Sequence, residues 1–342
     1  MNGSQIILGQ WRGREAAALL LNGVLEDLLV APDDATPALG AIYRAEVDRP
    51  LKGQGGVVLK LGQGQKGYLR SAKGMKAGDR LLVQVTGYAE PGKAAPVSER
   101  ILFKSRYAIV TPDAPGVNVS RQIKDEALRD QIAAIAHGIE LEPGHGAILR
   151  SAAAEADEDT LADDLAAMAD LAARVMADTA GSAELLVEGA APAELAWRDW
   201  PQPDEVIETD GAFDRHDITD MIAQALAPRV ALDEGHMYVE TTRALVAVDV
   251  NTGADTSPAA GLKVNIAAAR ALPRILRLRG LSGQIVIDPA PMPKKDRVRW
   301  EQVLKASLRQ DRVETSMAGW TPLGHVELQR KRERLPLHEV AP

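Results

Sequence analysis

Between residues 243 and 295 the hydrophobic pattern changes period twice. ALVAVDV (244–250) and GQIVID (283–288) are short apolar runs that each close on a carboxylate, Asp249 and Asp288, and both read as buried strands. From about Ala259 to Leu278 the chain is rich in Ala and Leu, with apolar residues at Leu262, Ile266, Leu272, Ile275 and Leu276, which predicts a helix. A strand, a helix and a second strand allow the two strand ends to sit side by side. Side chains alternate along a strand, so Asp249 and Asn251 share one face while Val248 and Val250 take the other.

The flanking segments carry other periods. Residues 5–30 alternate in short bursts broken at Asn22-Gly23, a hairpin or small meander with a tight turn. From Gly40 to about Phe103, AIYRAEVDR, GGVVLKLG, KGYLR and DRLLVQVTGY are short strands between Gly, Lys and Asp turns. Five or so strands in so short a stretch suggest a small barrel of OB type, a fold that commonly binds oligonucleotides. Helical periodicity follows at 124–136 and 159–177, with a strand at 146–150. Residues 180–215 are rich in Ala, Pro and acids and read as a connector in which Trp197 and Trp200 form a small cluster. A helix at 216–227, a strand at 235–240, a helix at 294–309 and strands near 313–318 and from Val326 complete the pattern.

Composition narrows the class. At 342 residues the chain is long enough for two or more structural units, and 46% apolar with 26% charged residues is ordinary for a soluble protein. No apolar run reaches membrane-spanning length, and the N-terminus lacks the layout of a signal peptide, so a cytoplasmic location and no membrane span are expected. The absence of Cys agrees with a reducing compartment. The net charge of −8 hides segregation: residues 261–335 hold sixteen Lys/Arg against seven Asp/Glu, whereas 151–240 hold four against twenty-two. A basic region of that kind can still neutralise phosphates. About half of its arginines, with Arg274, Arg277 and Arg279 as examples, read simply as the solvated face of a helix.

Candidate chemistry gathers at three places. Asp249, Asn251 and Asp288 would form an oxygen-rich cluster suited to a hard cation such as Mg2+. Read alone, an Asp after a strand also serves as a turn former or a helix cap, and DVNTG is good turn chemistry. Arg150-Ser151 places a guanidinium beside a hydroxyl, a pair that suits a phosphate, although a surface turn is the commoner use of such a pair. Lys294 and Lys295 follow Asp288 in a proline-stiffened loop and are candidates for holding an RNA backbone. The six His are scattered without metal-ligand spacing, so no imidazole chemistry is expected.

VAVDVNTG, then KVNIAAARALPRILRLRGLSGQIVIDPAPM, then LRQDR and VELQRKRERL, in that order and spacing, resemble the catalytic core of the ribonuclease E/G family. The resemblance implies that Asp249 and Asp288 hold a magnesium ion and that Asn251 supports the site. The family commonly carries a second acidic residue where this chain has Pro291. By the same resemblance the barrel binds RNA, with Tyr68 as its aromatic, Lys93 as its lysine and Val58 at the second aromatic position. HGAILRSAAAEAD resembles the segment that recognises a 5′-monophosphate through Arg and Thr, here Arg150 and Ser151, with Arg121 as a further basic position. The family's zinc-linking cysteines have no counterpart and the chain stops shortly after the last core segment. No zinc-linked oligomer is therefore expected, and at most a weak homo-oligomer.

The resemblance implies a multi-part α/β fold. Residues 1–38 and 181–225 would form a ribonuclease H-like unit, 39–103 an inserted OB-type RNA-binding barrel and 104–180 a 5′-phosphate sensor region. Residues 226–336 would form a deoxyribonuclease I-like catalytic core, followed by a tail at 337–342. The expected activity is Mg2+-dependent endonucleolytic cleavage of single-stranded RNA in RNA processing or decay, with a preference for 5′-monophosphorylated ends. An RNA-binding protein with weak or no cleavage is the alternative, favoured by Pro291, the single stacking platform on the barrel and the early end after the core, while the intact Asp249, Asn251 and Asp288 set argues against it. A small-molecule enzyme using magnesium is disfavoured by the barrel and the basic core.

Overall fold

The alternation near the N-terminus becomes a meander. The computed structural model describes residues 3–340 apart from 52, 54, 256 and 258; the first two residues of the expected N-terminal segment and the last two of the expected tail lie outside the described residues. Strands β1 (Ser4–Trp11), β2 (Arg14–Leu21) and β3 (Val24–Val30) pair antiparallel in succession. Asn22 and Gly23 form the expected turn with φ of 51° and 77°, the left-handed pair that lets a two-residue hairpin follow strand twist. Two compact units result, one of residues 1–32 with 203–342 and one of residues 33–202.

In the second unit, β4 (Ile42–Pro50), β5 (Val57–Gly62), β6 (Gln65–Leu69), β7 (Arg80–Val85) and β8 (Ala95–Ser98) close into a five-stranded barrel, since β4 pairs with both β5 and β7. Val57, Leu59, Leu61, Val83 and Val97 fill it, as strand alternation requires, and the closure is consistent with an OB-type fold. Next, β9 (Phe103–Lys104), β10 (Ala108–Thr111) and β11 (Gly116–Val119) lead to α1 (Glu126–His137), then β12 (Gly146–Leu149) and α2 (Glu158–Ala177). These strands form a sheet of order β11-β12-β10-β9 that shares an apolar core with both helices. Asp125 and Asp157 cap the helices by accepting from the N–H groups of Leu128 and Thr160, 3.2 and 2.7 Å away. The connector is ordered: β13 (Glu184–Val187) joins the barrel edge on β4, and α3 (Pro192–Asp199) follows. Trp200 is buried there, whereas Trp197 is 48% exposed beneath the Arg106 guanidinium, so the two tryptophans serve different ends.

The first unit resumes with β14 (Glu205–Glu208), which pairs parallel to β1 and extends the N-terminal sheet to β14-β1-β2-β3. Helices α4 (Ala212–Arg215) and α5 (Ile218–Leu226) pack on that sheet. Then come β15 (Arg229–Leu232), β16 (Gly235–Thr241), β17 (Val246–Asn251), α6 (Ala260–Arg279), β18 (Gly283–Asp288), α7 (Lys294–Gln310), β19 (Thr315–Trp320) and β20 (Val326–Arg330). They build a six-stranded mixed sheet of order β15-β16-β17-β18-β20-β19. Helix α6 is the crossover that makes β17 and β18 parallel neighbours. It stops at Gly280, whose φ of 67° is left-handed and whose missing Cβ leaves room for the Leu335 carbonyl.

Two expectations are corrected here. Strands β17 and β18 are buried on one face only: Val246, Val248, Val250, Ile285 and Ile287 meet α6 and α7, while Asp249, Gln284 and Asp288 are exposed. Both helices lie on the same side, which leaves the other side of the sheet uncovered by them. The arginines of α6 are not a solvated face. Arg277 and Arg279 are buried, and Arg274 donates to the Leu25 carbonyl. Arg279 donates to the carbonyls of Ala225, Val239 and Ala227 at 2.6–2.8 Å, closing the C-terminal end of α5; burial pulls its pKa down to about 10. Among the described residues no helix is long and apolar enough to cross a membrane.

Candidate active site

Because β17 and β18 are parallel and adjacent, their terminal carboxylates fall into register: Asp249 is the direct partner of Asp288. Neighbouring strands lie about 4.8 Å apart, so two carboxylates pointing the same way can converge on one small ion. Both project from the face away from the helices, and both are exposed. Asn251, two residues on and therefore on the same face, donates from Nδ2 to Asp249 Oδ2 at 2.8 Å, leaving the other carboxylate oxygen outside this bond. The sequence-predicted trio is thus brought together.

The donor set is short and made of oxygen. Among the described residues no group of three or more His, Asp or Glu is arranged to hold a metal ion. Magnesium tolerates that, since it keeps several waters and is commonly held by one or two carboxylates together with substrate phosphates. The two aspartates fit such an ion. His325, to which the sequence assigned no chemistry, lies with Nε2 3.8 Å from Asp288 Oδ1. It precedes β20, which pairs antiparallel with β18, and only that pairing could have revealed it.

The loop after Asp288 is held from beneath. Asn265 on α6 is wholly buried; its Nδ2 donates to the Ala290 carbonyl at 2.8 Å and its Oδ1 accepts from the Ala290 N–H at 2.9 Å. Trp300 Nε1 donates to the Asn265 carbonyl at 2.8 Å, tying α7 to the same point. Gly261 meets the loop one turn earlier, where an added Cβ would lie 2.0 Å from the Pro291 carbonyl. Asn265→Ala is expected to destabilise the protein by about 2–5 kcal/mol, because two buried backbone groups lose their partners. Asp288 lies two residues from Ala290, so the same loss should loosen the carboxylate end of β18. Urea denaturation measures the effect; stability within about 0.5 kcal/mol of wild type would contradict this role.

Lys294 and Lys295 are exposed and begin α7. Cations are poorly placed at the positive end of a helix dipole, so these lysines do little for the helix and suit an anion lying across its start.

In the other unit, Arg150 and Ser151 follow β12, and Arg121 follows β11 by two residues. The two strands are parallel, with Val119 opposite Leu149, so all three residues leave the same sheet edge. Arg150 is not a free cation. It donates from Nη1 to the carbonyls of Ser105 (2.5 Å) and Arg198 (3.1 Å), and from Nη2 to Asp199 Oδ1 (2.8 Å). Burial would raise the Asp199 pKa, but Arg198 and Arg150 together hold it below the usual carboxylate range. Ser151 is exposed at the start of a short 3-10 turn, and Arg121 is exposed. The sequence offered no sign of Asp199, which arrives from the connector.

On the barrel, Tyr68 pairs with Val58 and Lys66 with Lys60, all on the outer side. Tyr68 packs over Gly56, where an added Cβ would come within 2.7 Å of its ring. Lys93 is exposed and ion-paired to Glu90.

The chain belongs to the ribonuclease E/G family, whose model matches residues 103–207 and 201–333. It is 28% identical to ribonuclease G of Salmonella typhimurium (strain SL1344), over 94% of this chain and 78% of that protein. Ribonuclease G of Escherichia coli (strain K12) gives the same values. Ribonuclease E of Synechocystis sp. (strain PCC 6803) is 27% identical over 98% of this chain and 58% of its own length.

Proposed function

We propose that this protein is an endoribonuclease that cleaves phosphodiester bonds of single-stranded RNA with Mg2+, in RNA processing or decay. The observation that carries the reading is the register pairing of Asp249 and Asp288, with Asn251 hydrogen-bonded to the first. Magnesium held there would activate water and stabilise charge on the scissile phosphate. Asp249 and Asp288 hold and orient that site, Asn251 fixes the rotamer of Asp249, and Lys294 and Lys295 neutralise phosphates beside it. The six-stranded sheet with α6 and α7 would then be the deoxyribonuclease I-like core, and the N-terminal sheet completed by β14 the ribonuclease H-like unit. The barrel, through Tyr68 and Lys93, would contribute RNA affinity. The test is cleavage of 5′-labelled single-stranded RNA with and without magnesium. Loss of label only from the end, or equal cleavage in excess chelator, would defeat the reading.

Arg150, Ser151 and Arg121 are proposed to receive a 5′-terminal monophosphate. A terminal phosphate bears more charge than an internal diester, and a charge-assisted contact is worth about 1.5–3 kcal/mol, or about ten- to hundredfold in preference. Asp199 competes for the same guanidinium, which places the expected value at the lower end. Wild type should cleave 5′-monophosphorylated RNA about tenfold faster than 5′-hydroxyl RNA. Arg150→Ala should erase the difference and keep the slower rate. Equal loss on both substrates would make Arg150 a structural residue that ties α3 to its sheet.

An RNA-binding protein with weak cleavage is the second reading. It draws on Pro291 in the Asn265-anchored loop and on Val58 beside Tyr68.

A further inference from the structure

The register of the six-stranded sheet places a line of unlike side chains beside the carboxylates. Arg229 pairs with Tyr238, Tyr238 with Asp249, and Asp249 with Asp288. Antiparallel pairing of β18 with β20 then brings His325 opposite Asp288, in agreement with their 3.8 Å approach. All five share one face, because Met237, Val248, Ile287 and Val326 turn toward the helices. Reading across the sheet, the face presents a cation, an aromatic ring, two carboxylates and an imidazole. At one strand spacing per step, Arg229 stands about 10 Å from Asp249, with the ring between them.

Tyr238 has no packing reason to be aromatic. It is half-buried but takes no part in the apolar cluster on the helix side, where the interior-facing residues of β16 are Met237 and Val239. His236, on the same face of β16, meets it edge to face with centroids 5.5 Å apart and planes at 86°. A braced ring on an uncovered sheet face is the platform on which single-stranded nucleic acids stack their bases, and an exposed arginine beside it suits the backbone.

We infer that Tyr238, braced by His236, seats the nucleobase next to the scissile phosphate and that Arg229 holds the backbone phosphate beyond it. The inference rests on the nuclease reading for which phosphate is scissile; the stacking itself does not depend on cleavage. Substrate therefore crosses this sheet along the row from β15 toward β18, with one base stacked beside the carboxylates.

The test uses a short unstructured RNA and a series in which one base at a time is replaced by hydrogen. Cleavage is followed with magnesium, and binding without it by fluorescence anisotropy. With wild type, removal of the base adjoining the cleaved bond should lower kcat/KM about tenfold. Tyr238→Leu should show that loss on intact RNA and no further loss on the abasic one, whereas Tyr238→Phe should behave as wild type. If the Leu variant does not fold, Tyr238→Val, which suits a strand, carries the same comparison. Arg229→Gln should reduce the dependence of log Kd on log salt by about one, whatever the sequence. A full abasic penalty surviving in Tyr238→Leu, or no penalty in wild type, overturns the platform even where cleavage is intact. A Tyr238-dependent penalty in binding without any cleavage upholds the platform and defeats the nuclease reading instead.

Discussion

Asp249→Asn or Asp288→Asn is expected to lower the rate of RNA cleavage by about 10³-fold or more while changing RNA affinity by less than about twofold. The size follows from the role: a metal ion at a reacting phosphate supplies several kcal/mol of charge stabilisation, and each 1.36 kcal/mol is tenfold in rate. The direction for affinity follows from the proposed site, in which binding would arise from distributed basic and stacking contacts such as Lys294, Lys295 and Tyr68. Asn is isosteric with Asp, so strand pairing and the Asn251 neighbour are kept and misfolding does not enter. Single-turnover cleavage of 5′-labelled RNA gives the rate, and anisotropy gives the affinity. Either variant retaining more than about a tenth of wild-type turnover would remove the carboxylate pair from the mechanism.

Asp311→Ala is expected to cost about 3–5 kcal/mol of stability, the range for stripping one partner from a buried ion pair. The Asp311 side chain is fully buried in the turn after α7, ion-paired to Arg277 of α6 and, at 2.6 Å, to Arg330 of β20. Arg277 also reaches Glu26 at 2.6 Å and Asp27 at 3.3 Å on β3. Burial alone would depress the Arg277 pKa, but these carboxylates outweigh it and hold the guanidinium charged. Arg330 is less well served: apart from Asp311 its Nη1 donates to Thr315 Oγ1 at 2.8 Å and to the Val313 carbonyl at 3.4 Å, so without Asp311 a wholly buried cation faces neutral acceptors alone. The network joins the N-terminal sheet to the six-stranded one through charge. Its loss should therefore loosen that junction while the carboxylate row, on the open face, keeps its register. Urea denaturation measures the cost, and a midpoint close to wild type would show that the cluster is dispensable.

The particular elements show how far a linear reading carries. The period change around Asp249 and Asp288 predicted the strand, the helix and the second strand, and the structure places them at Val246–Asn251, Ala260–Arg279 and Gly283–Asp288. Short-range rules suffice there, because alternation and helical periodicity are properties of neighbouring residues. The barrel strands and the Asn22-Gly23 turn were legible for the same reason. The α6 arginines were not. A guanidinium on an Ala/Leu helix looks solvated until the partners arrive, and Glu26, Asp27 and Asp311 come from segments remote in sequence.

By itself the sequence determined the elements, the carboxylate at the end of each core strand and the Asn two residues after the first. The tertiary structure alone decided which strands are neighbours, and hence everything read across the sheet. Asp249 faces Asp288 because α6 returns the chain in parallel. Tyr238 and Arg229 join them because β15 and β16 add antiparallel at one side, and His325 because β20 adds at the other. Asp199 likewise reaches Arg150 only once α3 has docked. The division has one physical cause. Side-chain direction along a strand follows from local backbone geometry, whereas register between strands is set by hydrogen bonds and packing between segments far apart in the chain.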